Sequence, residues 1–190
     1  MKKNIKIRGI LVSSVILFGA DIFIACNIIA PEKTYKIGAR GPAGGWIFYD
    51  KGNSEGGWRY LEAAPVDQSH AAQWGCDEKS IPGAKSTAIG TGKSNTQAIV
   101  AECSDIGIAA KLCTAYRGGG KSDWFLPSKD EIKVLNTKLL KTGVGGFAGS
   151  LYWSSSEYGA YYAGIQNFGG SGQYHINKNS TIHVRAVRAF

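Results

Sequence analysis

The sequence predicts an α+β domain of short strands, two helical regions and long glycine-rich loops. Three observations carry this reading. Glycine fills 26 of the 190 positions with no Gly-X-Y period, about twice the usual ~7%. Aromatic residues are abundant (5 Trp, 9 Tyr, 7 Phe) while Pro occurs only 5 times, which suits many turns around short strands. Amphipathic helical spacing is confined to residues 95–116 and to the stretch between Ser128 and Gly143. Hydrophobic residues make up 44% of the chain, enough for a core, so global disorder is excluded. Long helical bundles and coiled coils are excluded by the glycine content. A chain of this length holds one domain, or one domain plus a targeting segment.

Residues 1–25 read as that segment. Lys2, Lys3, Lys6 and Arg8 precede an apolar run from Ile10 to Ala20. A basic start, a short apolar stretch and small residues before a cut describe an export signal. The run is too short to span a bilayer, which needs about 20 residues, and Asp21 interrupts its extension. Phe23-Ile24-Ala25-Cys26 resembles a bacterial lipobox, which makes Cys26 the expected lipidation site. Phe23 stands where Leu is usual, and cleavage near Ala25 or Ala30 with release is the alternative. Removing 1–25 takes away four basic residues and Asp21, lowering the formal charge from +8 to +5. Residues 26–40 read as a tether, and 41–190 as the domain.

Within the domain, Trp46–Asp50 and Trp58–Ala63 flank a glycine-rich turn and predict a hairpin. Residues 66–94 form a long irregular segment; such loops are functional or pinned by a crosslink. The helical stretch 95–116 repeats Ile99, Cys103, Ile106, Ala110 and Cys113, and Ser104–Gly107 offers a break. Asp123–Pro127 is short and extended. Ser128 with Glu131 forms a capping box for the second helix, whose apolar face is Ile132, Leu135 and Leu139, with Gly143 as its stop. Strand-like pieces follow at 151–154, 163–168 and 173–177. The chain closes with Thr181–Phe190, where the alternation slips at Val187, so this strand is bulged or buried on both faces.

Three cysteines remain beyond Cys26. On one straight helix Cys103 and Cys113 would lie ~15 Å apart, beyond the ~7 Å that a disulfide tolerates. They pair only if the helix breaks. The favoured pairing is Cys76 with Cys103, leaving Cys113 as a buried free thiol. No Cys or His lies at zinc-finger spacing from another Cys, so no metal is expected.

Several segments resemble a known family. They are Gly41–Asp50, Trp74-Gly75-Cys76, Ala88–Gly92 with Asn95-Thr96, Asp123–Ser128, Tyr152–Glu157 and Val184–Phe190. In this order they resemble the Lcl C-terminal domain family, named for the C-terminal domain of a bacterial collagen-like adhesin. The resemblance covers 41–190. It implies a C-type-lectin-like fold: a small twisted antiparallel sheet with paired first and last strands, two flanking helices, and irregular loops that carry ligands. The adhesin is associated with sulfated glycans, but no contact motif transfers that ligand to residues of this chain.

Catalytic signals are weak. Thr87–Ser94 approaches a phosphate-binding loop, but Thr87 stands where Gly is required and no strand precedes it. His70, His175 and His183 lie in no catalytic spacing, and His183 is expected on the outer face of the last strand. Ser154-Ser155-Ser156 reads as a strand end whose hydroxyls satisfy loop backbone. Leu126-Pro127-Ser128 with Glu131 resembles a segment of formylglycine-generating enzymes, yet no Cys follows Cys113 to supply their active thiols. No catalytic residue and no cofactor are expected.

The expected contact surface is Tyr158, Tyr161, Tyr162, Gln166, Asn167, Tyr174 and His175. Tyr gives large contact area at low entropy cost. Trp46, Trp124 and Trp153 are expected in the core. Lys129, Lys133, Lys138 and Lys141 read as a solvated helix face, and export disfavours a nucleic-acid partner. The expectation is an exported, lipid-anchored binding module for a glycan or protein. The alternatives are a structural envelope lipoprotein and an enzyme on the same scaffold.

Overall fold

The computed structural model describes residues 33–190. The export segment and Cys26 lie outside these residues. The described residues form an α+β fold, with two mostly antiparallel sheets and three α-helices. One sheet has three strands: β1 (Trp46–Asp50), β2 (Tyr60–Ala63) and β8 (Val187–Ala189), in the order β1-β2-β8. The expected hairpin is therefore present, and the first and last strands meet in one sheet on opposite edges of β2. The other sheet has the order β3-β7-β4-β5-β6, built from β3 (Ser69–Ala72), β4 (Leu151–Glu157), β5 (Tyr162–Asn167), β6 (Gln173–Asn177) and β7 (Ile182–Val184). Among the strands of the described residues, only β4 and β7 run parallel.

The chain end is divided between two strands rather than the single one expected over 181–190, while burial on both faces, one of the two expected outcomes, is present. Strands β7 and β8 belong to different sheets, and the slip in alternation at Val187 marks the crossing. Val184 through Arg188 are all buried, so both faces of this run meet protein. The Ala186 amide turns away from either ladder and donates to the Gln68 side chain, while its carbonyl accepts from Ala64.

The helical stretch over 95–116 also divides. Helix α1 spans Gly92–Glu102 and helix α2 spans Ala109–Ala115. Cys103 leaves α1 in extended conformation, and Gly107 takes φ +70°, a left-handed turn that favours glycine. The Cys76–Cys103 disulfide fixes the break, with the Cys76 amide donating to the Asp105 carboxylate at 3.0 Å. Ile106 therefore does not join the apolar face assigned to it; it is 92% exposed in the turn. Cys113 is a buried free thiol.

Helix α3 spans Lys129–Leu139 and keeps the expected capping box and buried face of Ile132, Leu135 and Leu139. Burying such side chains contributes ~1.5–3 kcal/mol each. A short 3-10 turn over Leu140–Thr142 extends it before Gly143 stops it at φ +68°. Trp124 and Trp153 are buried, whereas Trp46 is half-buried beneath the Arg40 guanidinium, 3.6 Å from its ring centre. The domain also begins earlier than the expected tether boundary: Tyr35 packs edge-on against Tyr60 and Phe190, and Arg40 bridges Trp46.

Buried ion pairs explain the sequence signatures. Glu62 is fully buried; it accepts from the Ala43 and Gly45 amides and from Arg188, at 2.7 Å. A Cβ at Gly41 would lie 2.3 Å from Glu62 Oε2 and one at Gly45 would lie 2.5 Å from the Ala63 carbonyl. The glycine-rich 41–45 loop can thus wrap the carboxylate only without side chains. Arg188 also forks onto Asp123. Lys178 pairs with Glu157 at 2.7 Å, both side chains fully buried, and its ammonium lies 4.7 Å from the Trp74 ring centre.

Candidate functional site

All tyrosines that are exposed among the described residues fall between positions 158 and 174. Strands β4 and β5 are joined by a tight turn in which the Tyr158 and Gly159 amides donate to the Tyr162 carbonyl. The turn lifts Tyr158 (66% exposed) and Tyr161 out of the sheet. Tyr158 lies flat on His175 of β6, ring centres 4.0 Å apart and planes 16° from parallel. Lys129, at the start of α3, places its ammonium 3.3 Å from His175 Nε2. An ammonium has only protons to donate, so this contact makes Nε2 the acceptor of a neutral imidazole. Partial burial, and then the Lys129 charge, hold His175 below the usual histidine value.

Strand geometry sorts the other residues expected here. Opposed residues of an antiparallel pair share a face. Gly164 opposes His175 and Tyr162 opposes Asn177, which puts Tyr162 on the His175 face. Tyr174 opposes Ile165 and faces the other side of the sheet, so it does not join the cluster. Gln166 is fully buried and cannot reach a ligand; its amide nitrogen donates to the carbonyls of Asn167 and Gly172. Asn167 is committed to the β5–β6 turn, accepting from the Gly169 amide at 2.8 Å. Polarity suggested contact residues at 166 and 167; the turn's unpaired backbone groups claim both. The surface that remains is Tyr158, Tyr161, Tyr162 and His175, with Lys129 beside it.

The groups that resembled chemistry have structural partners. Ser154 donates to the Gly164 carbonyl, Ser156 donates to the Ser86 carbonyl, and the Ser155 hydroxyl accepts from Asn95. The phosphate-loop-like segment finds its anion within the protein. Gly90 donates its amide to Glu131 at 2.8 Å, and a Cβ at Gly92 would sit 2.2 Å from the same carboxylate. A carboxylate at a helix N-terminus is the favoured charge there. Beside this turn lies a cleft of about 360 Å³ lined by Trp58, Lys93, Ser94, Gln97 and Phe125, which sequence patterns did not single out.

His183 is not free on an outer face. Strand β7 lies between β3 and β4, and His183 Nδ1 sits 3.0 Å from Asp67 Oδ2. His70 approaches the same oxygen. Asp67 also accepts from Arg185 and, at 2.9 Å, from the Tyr152 hydroxyl. Burial, with the neighbouring Asp67 charge, pushes the Tyr152 phenol up to about 12. Asp67, His70 and His183 are the described residues whose ligand atoms converge closely enough to hold a metal ion. They are separated by up to 116 positions in sequence, which is why no spacing motif revealed them. No described helix is long and apolar enough to cross a membrane. Comparison with known proteins finds no family model and no curated protein that matches the chain.

Proposed function

We propose that the chain is an exported, lipid-anchored envelope protein whose C-type-lectin-like domain, of the Lcl C-terminal type, binds an extracellular glycan or protein without chemistry. The observation that carries this reading is the Tyr158–His175 stack with Tyr161 and Tyr162 exposed around it and Lys129 at its edge. Rigid aromatic faces bind sugar rings or side chains with little loss of rotamer freedom. A cation at the rim favours an anionic ligand. The sharing of one sheet by the chain's first and last strands, with α1 and α3 packed on the strands and long loops between, supports the lectin-like assignment. The hydrogen-bonded Ser154, Ser155 and Ser156 favour binding over hydrolysis.

The experiment is a glycan and matrix-protein array probed with the protein at low and high salt. Binding that weakens with salt supports an anionic ligand; no binding to any glycan or matrix protein overturns the proposal. The anchor has its own test. Labelling with a palmitate analogue in a bacterial host should mark the wild type and be abolished by Cys26→Ser.

A further inference from the structure

We propose that Asp67, His70 and His183 form a binding site for a divalent transition-metal ion of the zinc class, none of them a residue of the tyrosine face. Three lone-pair atoms converge there. His183 Nδ1 is 3.0 Å from Asp67 Oδ2, His70 Nδ1 is 3.5 Å from the same oxygen, and the two Nδ1 atoms are 3.4 Å apart. Ligands held tetrahedrally about zinc at roughly 2.0–2.1 Å are separated by about 3.3–3.4 Å. The triangle already has the size of one face of that tetrahedron.

The fold builds this triangle. Strand β3 pairs with β7 at Ser69↔Val184 and Ala72↔Ile182, with a shift between. Two residues of β3 therefore oppose His183 alone, and this bulge sets His70 beside His183. The two rings meet edge to face at 74°, so both Nδ1 atoms can point to one spot without a clash. Asp67 is anchored from behind. Arg185 holds Oδ1, and the Tyr152 hydroxyl donates to Oδ2. Such supporting hydrogen bonds orient ligating groups and are usual around metal sites. Oδ2 has a second lone pair beyond the one that accepts from Tyr152, and His183 Nδ1 lies 3.0 Å from this oxygen, so a metal ion would replace the proton between them.

The chemistry selects the ion. Two imidazole nitrogens and one carboxylate oxygen suit zinc and its neighbours rather than calcium or magnesium, which take oxygen ligands. The His70 side chain is 79% exposed, so an ion can enter from solvent and the fourth position is open to water. Two neutral imidazoles and one carboxylate leave the bound ion with net positive charge.

The test uses the full chain stripped with chelator, then titrated with Zn²⁺ by calorimetry and with Co²⁺ by visible absorption. One ion per chain is expected, with the intense d–d bands of tetrahedral cobalt. Loss of a ligand should weaken binding at least as much as loss of a ligand's supporting hydrogen bond, roughly 10–100-fold. His70→Ala is the decisive variant because its exposure lets the fold survive; His183→Asn is the second. Zn²⁺ should also raise the melting temperature of the wild type and not of His70→Ala. No binding at one ion per chain, or equal affinity in wild type and His70→Ala, overturns the proposal.

Discussion

Tyr158, in the turn after β4, and His175 of β6 stack face to face, 4.0 Å between ring centres, although β5 lies between β4 and β6. The contact gives an exposed aromatic surface a fixed orientation. It also ties that surface to α3, because the Lys129 ammonium lies 3.3 Å from Nε2 of the same imidazole. A first prediction follows for the imidazole itself. Burial first and Lys129 second hold His175 below 6.5. NMR titration should find it below the usual histidine value, and Lys129→Met should move it up. The folded value is the lower one, so this contribution to stability is present above about 6.5 and is lost as pH falls through the folded value. No upward movement in Lys129→Met would refute the contact.

The disulfide closes a loop of 27 residues. Chain-entropy arguments assign such a loop about 3.5 kcal/mol of stabilisation. Replacing Cys76 and Cys103 together by Ser should lower unfolding free energy in urea by about that amount. Cys113 is fully buried and burial pushes its thiol far up. It should resist thiol reagents in the native protein and react at once in denaturant.

Among the described residues, Arg188 is the only side-chain cation on Glu62. Arg188→Ala leaves a buried carboxylate held by the Ala43 and Gly45 amides alone. Breaking a buried pair in this way costs ~3–5 kcal/mol. Chemical denaturation measures the loss. A cost near zero would mean that the 41–45 amides suffice for the carboxylate.

Glu131 joins two helices, accepting from Ser128 at the start of α3 and from Gly90 ahead of α1. Burial raises its carboxyl above 4.5, with the amides of Ser128, Gly90 and Gly92 offsetting part of the shift. A raised folded value means the folded state binds the proton more tightly. The stability this gives is complete below 4.5 and is lost as pH climbs through the raised value. Glu131→Gln removes the titration and leaves at least one amide without its acceptor, at ~1–3 kcal/mol. The margin of wild type over variant should narrow as pH rises through that window. A constant margin would contradict the raised value.

Local signals were the legible ones. The capping box of Ser128 and Glu131 lies within four residues, and α3 follows it with its three apolar positions buried. The hairpin of β1 and β2 and the pieces of β4, β5 and β6 are also apparent, because their alternation is short-range. Strand β3 is not. Ser69-His70-Ala71-Ala72 has no β-branched or aromatic residue, and it lies at a sheet edge with its middle exposed. The break between α1 and α2 can be read at Ser104–Gly107, but where each helix ends depends on the disulfide. At the candidate site, tyrosine richness marks Tyr158, Tyr161 and Tyr162 correctly as exposed. It fails at Gln166 and Asn167, whose polarity serves a turn. Asp67 and His183 meet only through the order of strands in the sheet.

The account's central claim is that the turn at Tyr158 and Tyr161 is a contact surface rather than part of the core. The most direct measurement compares wild type with a Tyr158→Ala, Tyr161→Ala variant on the same glycan and matrix-protein array, with melting temperatures recorded in parallel. The account predicts loss of at least about tenfold in affinity, equivalent to ~1.4 kcal/mol, at an unchanged melting temperature. Undiminished binding by the variant, or a collapse of its fold, would contradict it.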